Sequence, residues 1–279
     1  MITGKTKLAA VIGWPIEHTK SPQMLNAAFG AAGVDAVLVP MAIEPQHLAA
    51  AITSMRTIGV IGASVTVPHK IAAVASCDEL SAAAKATGAV NCLQFVDGRV
   101  VGNNTDADGF LDGLTASGFD LRGKRVVILG AGGAARAIAY AVRGGRAIEV
   151  VARDPSKVTW ATAWPWDPEH LRDTFARADL VVDTTPVALA GSPQALAEEV
   201  AWVDSLPLAS LRPHTCVASL VYHRVPRLLE RAAVLGYSTL DGRAMLVHQG
   251  ARAFTLWTGV AAPIEIMRTA LEQSIVATV

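Results

Sequence analysis

The sequence predicts an α/β protein of two domains, and three observations carry that prediction. Over the first hundred residues, short strand-like runs alternate with helix-like ones. Val96-Asp97-Gly98 lies between two β-rich runs, NCLQF and RVVG, which is the pattern of an antiparallel hairpin. Over residues 126–135, VVILGAGGAA, a β-branched run ends abruptly in glycines and continues as an alanine-rich helix.

The elements follow in order. LAAVIG reads as a strand, PQMLNAAFGAAG as a helix, AVLVPMAI as a strand, PQHLAAAITSMRTIG as a helix and VIGASVTV as a strand. This βαβαβ rhythm followed by the Asp-Gly hairpin predicts a mixed sheet. Residues 107–117 look helical and lead into the glycine-rich unit, so the chain is expected to cross there into its second domain, with a hinge at the crossing. That domain continues through strand AIEVVA, a short tryptophan-rich segment, strands DLVVDTT and CVASLVY, and helix PRLLERAAVLG. Trp160, Trp164 and Trp166 are expected to cover a sheet edge or face of a shortened domain rather than to serve a ligand. After Asp241 the chain turns helical to its end, with apolar residues at helical spacing in MLVHQGARAFTLWTG. The boundaries expected are 1–106, 107–242 and 243–279, the last being helices that return to the first domain.

The glycine-rich turn reads as a dinucleotide-binding turn of the Rossmann type. Gly130 lets the chain leave the strand sharply, Gly132 lets backbone approach a pyrophosphate, and Ala135 permits close helix–strand packing. The amides of the turn and first helical residues, from Gly130, Ala131, Gly132, Gly133 and Ala134, then face the phosphates. Arg153 and Asp154 follow the next strand, where such a fold meets the adenosine ribose. They pull in opposite directions, because arginine suits a 2′-phosphate and an acid suits the free diol. With Lys157 nearby, NADP is expected, with NAD possible as a second nucleotide.

Composition narrows the remaining choices. The chain has 279 residues, 52% of them hydrophobic and 17% charged, with a formal net charge of zero. A compact globular protein follows, without the basic footprint of a nucleic-acid or anionic-membrane binder. LAAVIGWPI is interrupted by Gly13 and Pro15, unlike a secretory signal, and no run reaches the roughly 18 apolar residues that span a bilayer. Cys77, Cys92 and Cys216 stand in no metal-ligand spacing and predict reduced thiols in a cytoplasmic protein. His18, His69, His223 and His248 share no ligand pattern either, so no metal site is expected. A monomer or a homodimer is compatible with all of this.

Four polar clusters fall where the rhythm predicts loops: His18 to Pro22 (HTKSP), Ser64 to Lys70 (SVTVPHK), Gly88 to Asn91 (GAVN), and Asn104-Thr105-Asp106. Loops after strands are where open α/β sheets place ligands, and this mixture of hydroxyl, amide, ammonium and carboxylate suits a small hydroxylated ring acid.

Through these loops the chain resembles the shikimate dehydrogenase family, which includes quinate/shikimate dehydrogenases, nearly end to end. HTKSP resembles the family's carboxylate loop, SVTVPHK its N-V-T-x-P-x-K loop, GAVN its G-A-V-N, and NTDADG its N-T-D-x-x-G. GAGGAA resembles its nucleotide turn, and DGRAMLVHQ its D-G-x-x-M-L-x-x-Q element. The resemblance implies NADP-dependent interconversion of 3-dehydroshikimate and shikimate, or of a close analogue such as quinate or an aminated shikimate. It implies that Lys70 supplies a proton and positive charge at the reacting oxygen with Asp106 as its partner. It further implies that Thr19 and Ser21 meet the substrate carboxylate and that Thr66, Asn91 and Gln249 bind ring hydroxyls. Tyr222 is expected to close the pocket, and Thr185 and Gly242 to face the cofactor.

Each role has a plainer competitor. Asp106 and Ser21 could simply cap helices, Lys70 could sit solvated at a helix start, and Gln249 could be plain surface. A folate-type dehydrogenase and a non-catalytic ligand sensor on the same fold are the rival functions. The chain also departs from the family pattern. Ser64 replaces an asparagine, Thr19 a serine and Ser219 an aspartate. Asp183-Thr184-Thr185-Pro186-Val187-Ala188-Leu189 stands for N-A-T-S-x-G-M, Tyr222-His223-Arg224 for Y-N-P, and Arg243 and His248 for small or apolar residues. Arg243 and His248 are expected to point to solvent.

Overall fold

A computed structural model describes residues 2–189 and 192–276. The chain divides into two compact units, one formed by residues 1–110 and 246–279 and the other by residues 111–245.

The first unit begins with β1 (Lys7–Gly13), α1 (Ser21–Ala31), β2 (Ala36–Ala42), α2 (Leu48–Thr57) and β3 (Gly62–Val65). It continues with β4 (Glu79–Leu80), α3 (Ala82–Thr87), β5 (Cys92–Val96) and β6 (Arg99–Asn103), and α4 (Asp106–Ala116) carries the chain out. The sheet order is β2-β1-β3-β5-β6-β4. β1 pairs parallel with β2 and β3, whereas β3–β5 and β5–β6 are antiparallel. The sheet becomes mixed at β5, which runs against β3, and the Asp97-Gly98 turn then folds the chain back into β6, with Asp97 itself at φ 50°.

β1 shows how the alternating pattern builds this unit. Ala9 and Val11 face one layer with Met24, Leu25 and Phe29 of α1, whereas Ala10 and Ile12 face the other with Leu48, Ile52 and Met55 of α2. A strand covered on both faces is apolar throughout, which is why LAAVIG lacks polar alternation. β4 and α3 escaped the sequence reading because a two-residue strand and a six-residue helix carry no measurable period.

The second unit contains β7 (Arg125–Leu129), α5 (Gly133–Ala141), β8 (Ala147–Ala152), β9 (Thr162–Pro165), α6 (Pro168–Phe175) and β10 (Leu180–Asp183). α7 (Pro193–Ser205), β11 (Cys216–Ser219), α8 (Arg227–Val234) and β12 (Ser238–Leu240) complete it. Its six strands run in the order β12-β11-β10-β7-β8-β9, all parallel. This is the doubly wound Rossmann arrangement, with the strand order reversing between β7 and β10.

The tryptophan-rich segment is not a truncation. It contains β9 and α6, so the sheet is complete. β9 is a four-residue edge strand ending in Pro165, a position where a missing amide costs nothing. The Asp167 side chain then accepts from the amides of Glu169 and His170 and starts α6. The indole N–H of Trp164 donates to Glu149 at 2.9 Å, and Trp166 lies 6.1 Å from Trp202. Both indoles pack within the unit.

α9 (Arg243–Thr258) brings the chain back to the first unit and α10 (Ile264–Val276) completes it. Phe254, Trp257, Met267, Leu271 and Ile275 join the α1 side of its core. Among the described residues, no helix is long and apolar enough to cross a membrane.

Candidate active site

In the first unit the chemistry gathers at the ends of β3 and β6. The SVTVPHK loop leaves β3 with the Thr66 amide donating to Ile12 O at 2.9 Å and the His69 amide to Thr66 O at 2.9 Å. The buried His69 ring makes a 2.7 Å hydrogen bond with Ile43 O, a structural anchor for its neighbour. Lys70 follows, and its Nζ donates to Asp106 Oδ2 at 2.7 Å. The lysine side chain keeps 22% of its exposure while that of Asp106 keeps 7%, so a partly exposed lysine rests on a buried carboxylate.

The other carboxylate oxygen is also committed. Asn91 Nδ2 donates to Asp106 Oδ1 at 2.8 Å, to Thr105 Oγ1 at 3.0 Å and to Gln249 Oε1 at 3.4 Å. Asn91 Oδ1 accepts from the Thr105 amide at 2.6 Å. Capping falls to Asn104, whose Oδ1 accepts from the amides of Asp106 and Ala107 at 3.2 and 3.4 Å. Asp106 is thereby relieved of the cap role and left to hold Lys70. Asn104 is fixed in turn by Nδ2 donation to Thr87 Oγ1 and Ala89 O. The sequence reading grouped Asn104 and Thr105 with Asp106 but gave them no task, and Thr87 was missed because its partner is chosen by the fold.

Gln249 is buried rather than surface, and its Nε2 donates to Leu246 O at 2.8 Å. Thr19 and Ser21 lie after β1, joined by a 3.4 Å hydrogen bond from the Ser21 amide to Thr19 Oγ1. Ser21 is buried at the first position of α1, where no side chain caps the helix. Among the described residues their hydrogen bonds do not extend to the Lys70 cluster.

In the second unit, Gly130 turns out of β7 at φ +104°, and a Cβ there would meet Thr184 Oγ1 at 2.7 Å. A Cβ on Gly132 would meet nothing within 4 Å, so the turn keeps a clear approach to its backbone. α5 opens directly after Gly132 with no side-chain cap, leaving the first amides of the helix, beginning with Gly133 and Ala134, to an external acceptor. This donor set fits a pyrophosphate. Arg153 is exposed beyond β8. Asp154 accepts from Ser156 Oγ at 2.6 Å and pairs with Lys157 at 3.0 Å, and these contacts hold its carboxyl below the usual range.

At the ends of β10 and β11, Asp183 Oδ1 accepts from the amide and hydroxyl of Thr185 at 2.8 and 2.7 Å. Ser219 Oγ donates to Asp183 Oδ2 at 3.4 Å. Burial pushes the Asp183 carboxyl up to about 6, and burial likewise raises the phenol of Tyr222. Gly242 donates its amide to Val221 O, and a Cβ there would meet Leu220 O at 2.2 Å, so this glycine permits backbone contact.

A shikimate dehydrogenase (NADP(+)) from Desulforamulus reducens is 38% identical across 98% of this chain and 97% of its own length. The chain belongs to the shikimate dehydrogenase family. Within it, the substrate-binding domain model of shikimate dehydrogenase matches residues 11–93, and the shikimate 5'-dehydrogenase C-terminal domain model matches residues 242–272. A solved shikimate dehydrogenase in complex with NADP+ superposes with a TM-score of 0.87 at 31% identity, covering 99% of this chain and 98% of that one. The enzyme from Thermus thermophilus in complex with NADP(H) and shikimate gives 0.84 at 32% identity, covering 96% and 100%.

The departures from the family pattern acquire physical partners. The carboxylate that the pattern has at position 219 stands at Asp183 instead, where the pattern has asparagine, and Ser219 faces it with a hydroxyl. One acid is retained at the paired ends of β10 and β11 either way. Arg243 is occupied locally by Asp241, at 3.2 Å from its Nε. Arg224 pairs with Glu199, a buried residue of α7 to which the sequence reading gave no place.

Proposed function

We propose that this family member is an NADP-dependent dehydrogenase that interconverts shikimate and 3-dehydroshikimate. The observation that carries the reading is the Lys70–Asp106 pair, with the carboxylate set from behind by Asn91 and the lysine partly exposed. The first unit holds the ring acid and the second the nucleotide.

When bound, the reduced nucleotide NADPH would supply the hydride for ketone reduction, and NADP+ would accept it in the reverse direction. Lys70 donates a proton to the carbonyl oxygen as it gains charge, and its ammonium stabilises the developing alkoxide. In the oxidative direction the ring hydroxyl surrenders that proton to the Lys70–Asp106 pair. Thr19 and Ser21 hydroxyls hold the substrate carboxylate, and Thr66, Asn91 and Gln249 meet ring hydroxyls. Tyr222 brings its phenol to the substrate, and Thr185 and Gly242 serve the nicotinamide side. Because Asp154 is already matched by Lys157, Arg153 is free to bind a 2′-phosphate. NADP is accordingly the preferred nucleotide, with NAD a poorer alternative.

NADP and NAD reduction should be followed with shikimate, quinate and an aminated shikimate. Shikimate with NADP should give the highest kcat/KM, and Lys70→Ala should lower kcat at least ~100-fold while nucleotide affinity changes little. Tight nucleotide binding with no turnover of any acid would leave the sensor reading instead.

A further inference from the structure

We infer that Arg224 is a positioning residue for the nicotinamide half of the nucleotide site, acting by clamping the loops after β10 and β11 through Glu199. The inference rests on the dehydrogenase reading above. In a doubly wound sheet each half binds one mononucleotide, and the glycine turn after β7 with the tip of β8 accounts for the adenosine half. The other half falls to β10 and β11, and Thr184 to Leu189 and Leu220 to Pro226 are the loops that leave their carboxyl ends.

One guanidinium ties those loops together. Arg224 Nη2 donates to Ala188 O, in the loop after β10, at 3.0 Å. The same nitrogen makes a short hydrogen bond to Glu199 Oε2, and Nη1 donates to Oε1 at 3.3 Å. Glu199 Oε1 also accepts from the Arg227 amide at 2.8 Å, at the first residue of α8. Two loops and two helix segments therefore converge on the Arg224–Glu199 pair, whose glutamate is fully buried.

Packing alone does not call for a charge there. α7 buries only Glu199 and Val203, and an apolar side chain would fill position 199 at lower cost, since burying an ion pair repays its desolvation only with excellent geometry. What the pair adds is direction. The planar fork of arginine holds both carboxylate oxygens and a carbonyl at once, and a lysine ammonium cannot reproduce that span.

The test compares NADP with adenosine 2′,5′-bisphosphate, which lacks the nicotinamide half, on the purified wild type, Arg224→Lys and the double variant Glu199→Gln/Arg224→Met. The double variant leaves no buried charge unpaired, so it separates positioning from misfolding. Bisphosphate affinity should stay within ~2-fold of wild type, while NADP affinity and kcat with shikimate each fall by roughly tenfold in both variants. Wild-type values for NADP affinity and kcat would overturn the inference, as would equal losses for both ligands. If the wild type does not oxidise shikimate, the functional reading fails by itself, and the two nucleotide affinities still decide the role of Arg224.

Discussion

The side-chain amide of Asn91 has two protons and three acceptors around them, on Thr105, Asp106 and Gln249. Its carbonyl oxygen in turn receives the Thr105 amide, so one side chain sets the carboxylate from behind and fixes the start of α4. Asn91→Ala should cost ~1–3 kcal/mol in urea unfolding and lower kcat more than it raises KM for shikimate, because Asp106 loses its second restraint. An unchanged kcat would remove Asn91 from the proton-transfer machinery. Asp183 gives a pH prediction of definite sign. Burial raises its carboxyl to about 6, above the ~3.9 of an unfolded chain, so the native state binds the proton more tightly. That contribution is full below about pH 4 and is lost as pH rises through about 6, by at most ~3 kcal/mol. Asp183→Asn should therefore gain stability relative to wild type between about pH 4 and about pH 7.5 in urea unfolding, and a difference independent of pH would contradict the assignment. At this scale Lys70, Asp106 and Asn91 were legible as residue types in loops, and Gln249 only through the likeness of DGRAMLVHQ to the family element. What was not legible was who caps α4, since Asn104 and Asp106 are both good caps and only the fold assigns the task.

Among elements, the contact of α4 with α9 in the first unit is set by a glycine. A Cβ on Gly109 would lie 2.6 Å from the Gln249 backbone nitrogen and 2.7 Å from its Cβ. Gly109→Ala must push the α9 backbone away and take Gln249 with it. The expected cost is ~1–3 kcal/mol, with KM for shikimate rising more than kcat falls. Equal KM would mean that Gln249 does not read the substrate. α1 was evident from its helical spacing, and β1 and β2 from short apolar runs on either side of it. β9 was not, because four residues holding a tryptophan and a proline show neither alternation nor a β-branched run. α7 and β12 went unread too, the first because its apolar positions are diluted by acids and alanines, the second because STL is only three residues long.

Across the whole molecule, the first unit is assembled from two stretches of chain and the second from one. Phe29 meets Phe254 at 5.3 Å between ring centroids, and Met24 and Leu25 share their core with Met267 and Leu271. A fragment of residues 111–245 should accordingly unfold cooperatively in urea and show near-ultraviolet circular dichroism, whereas residues 1–110 alone should lack both. Cooperative unfolding of the shorter fragment would show that α9 and α10 are dispensable to it. The two-domain α/β plan was legible because the glycine turn and the hairpin each announce a distinct sheet. The order of strands was not, since periodicity identifies strands without saying which ones are neighbours.

The split origin of the first unit sets an order of events during synthesis. A nascent chain that has passed residue 245 already holds every segment of the Rossmann sheet, yet the α1 side of the first unit's core still lacks Phe254, Trp257, Met267 and Leu271. Gln249 arrives with them, so under the function proposed above the place for the ring acid is completed after the last strand of the Rossmann sheet has been made.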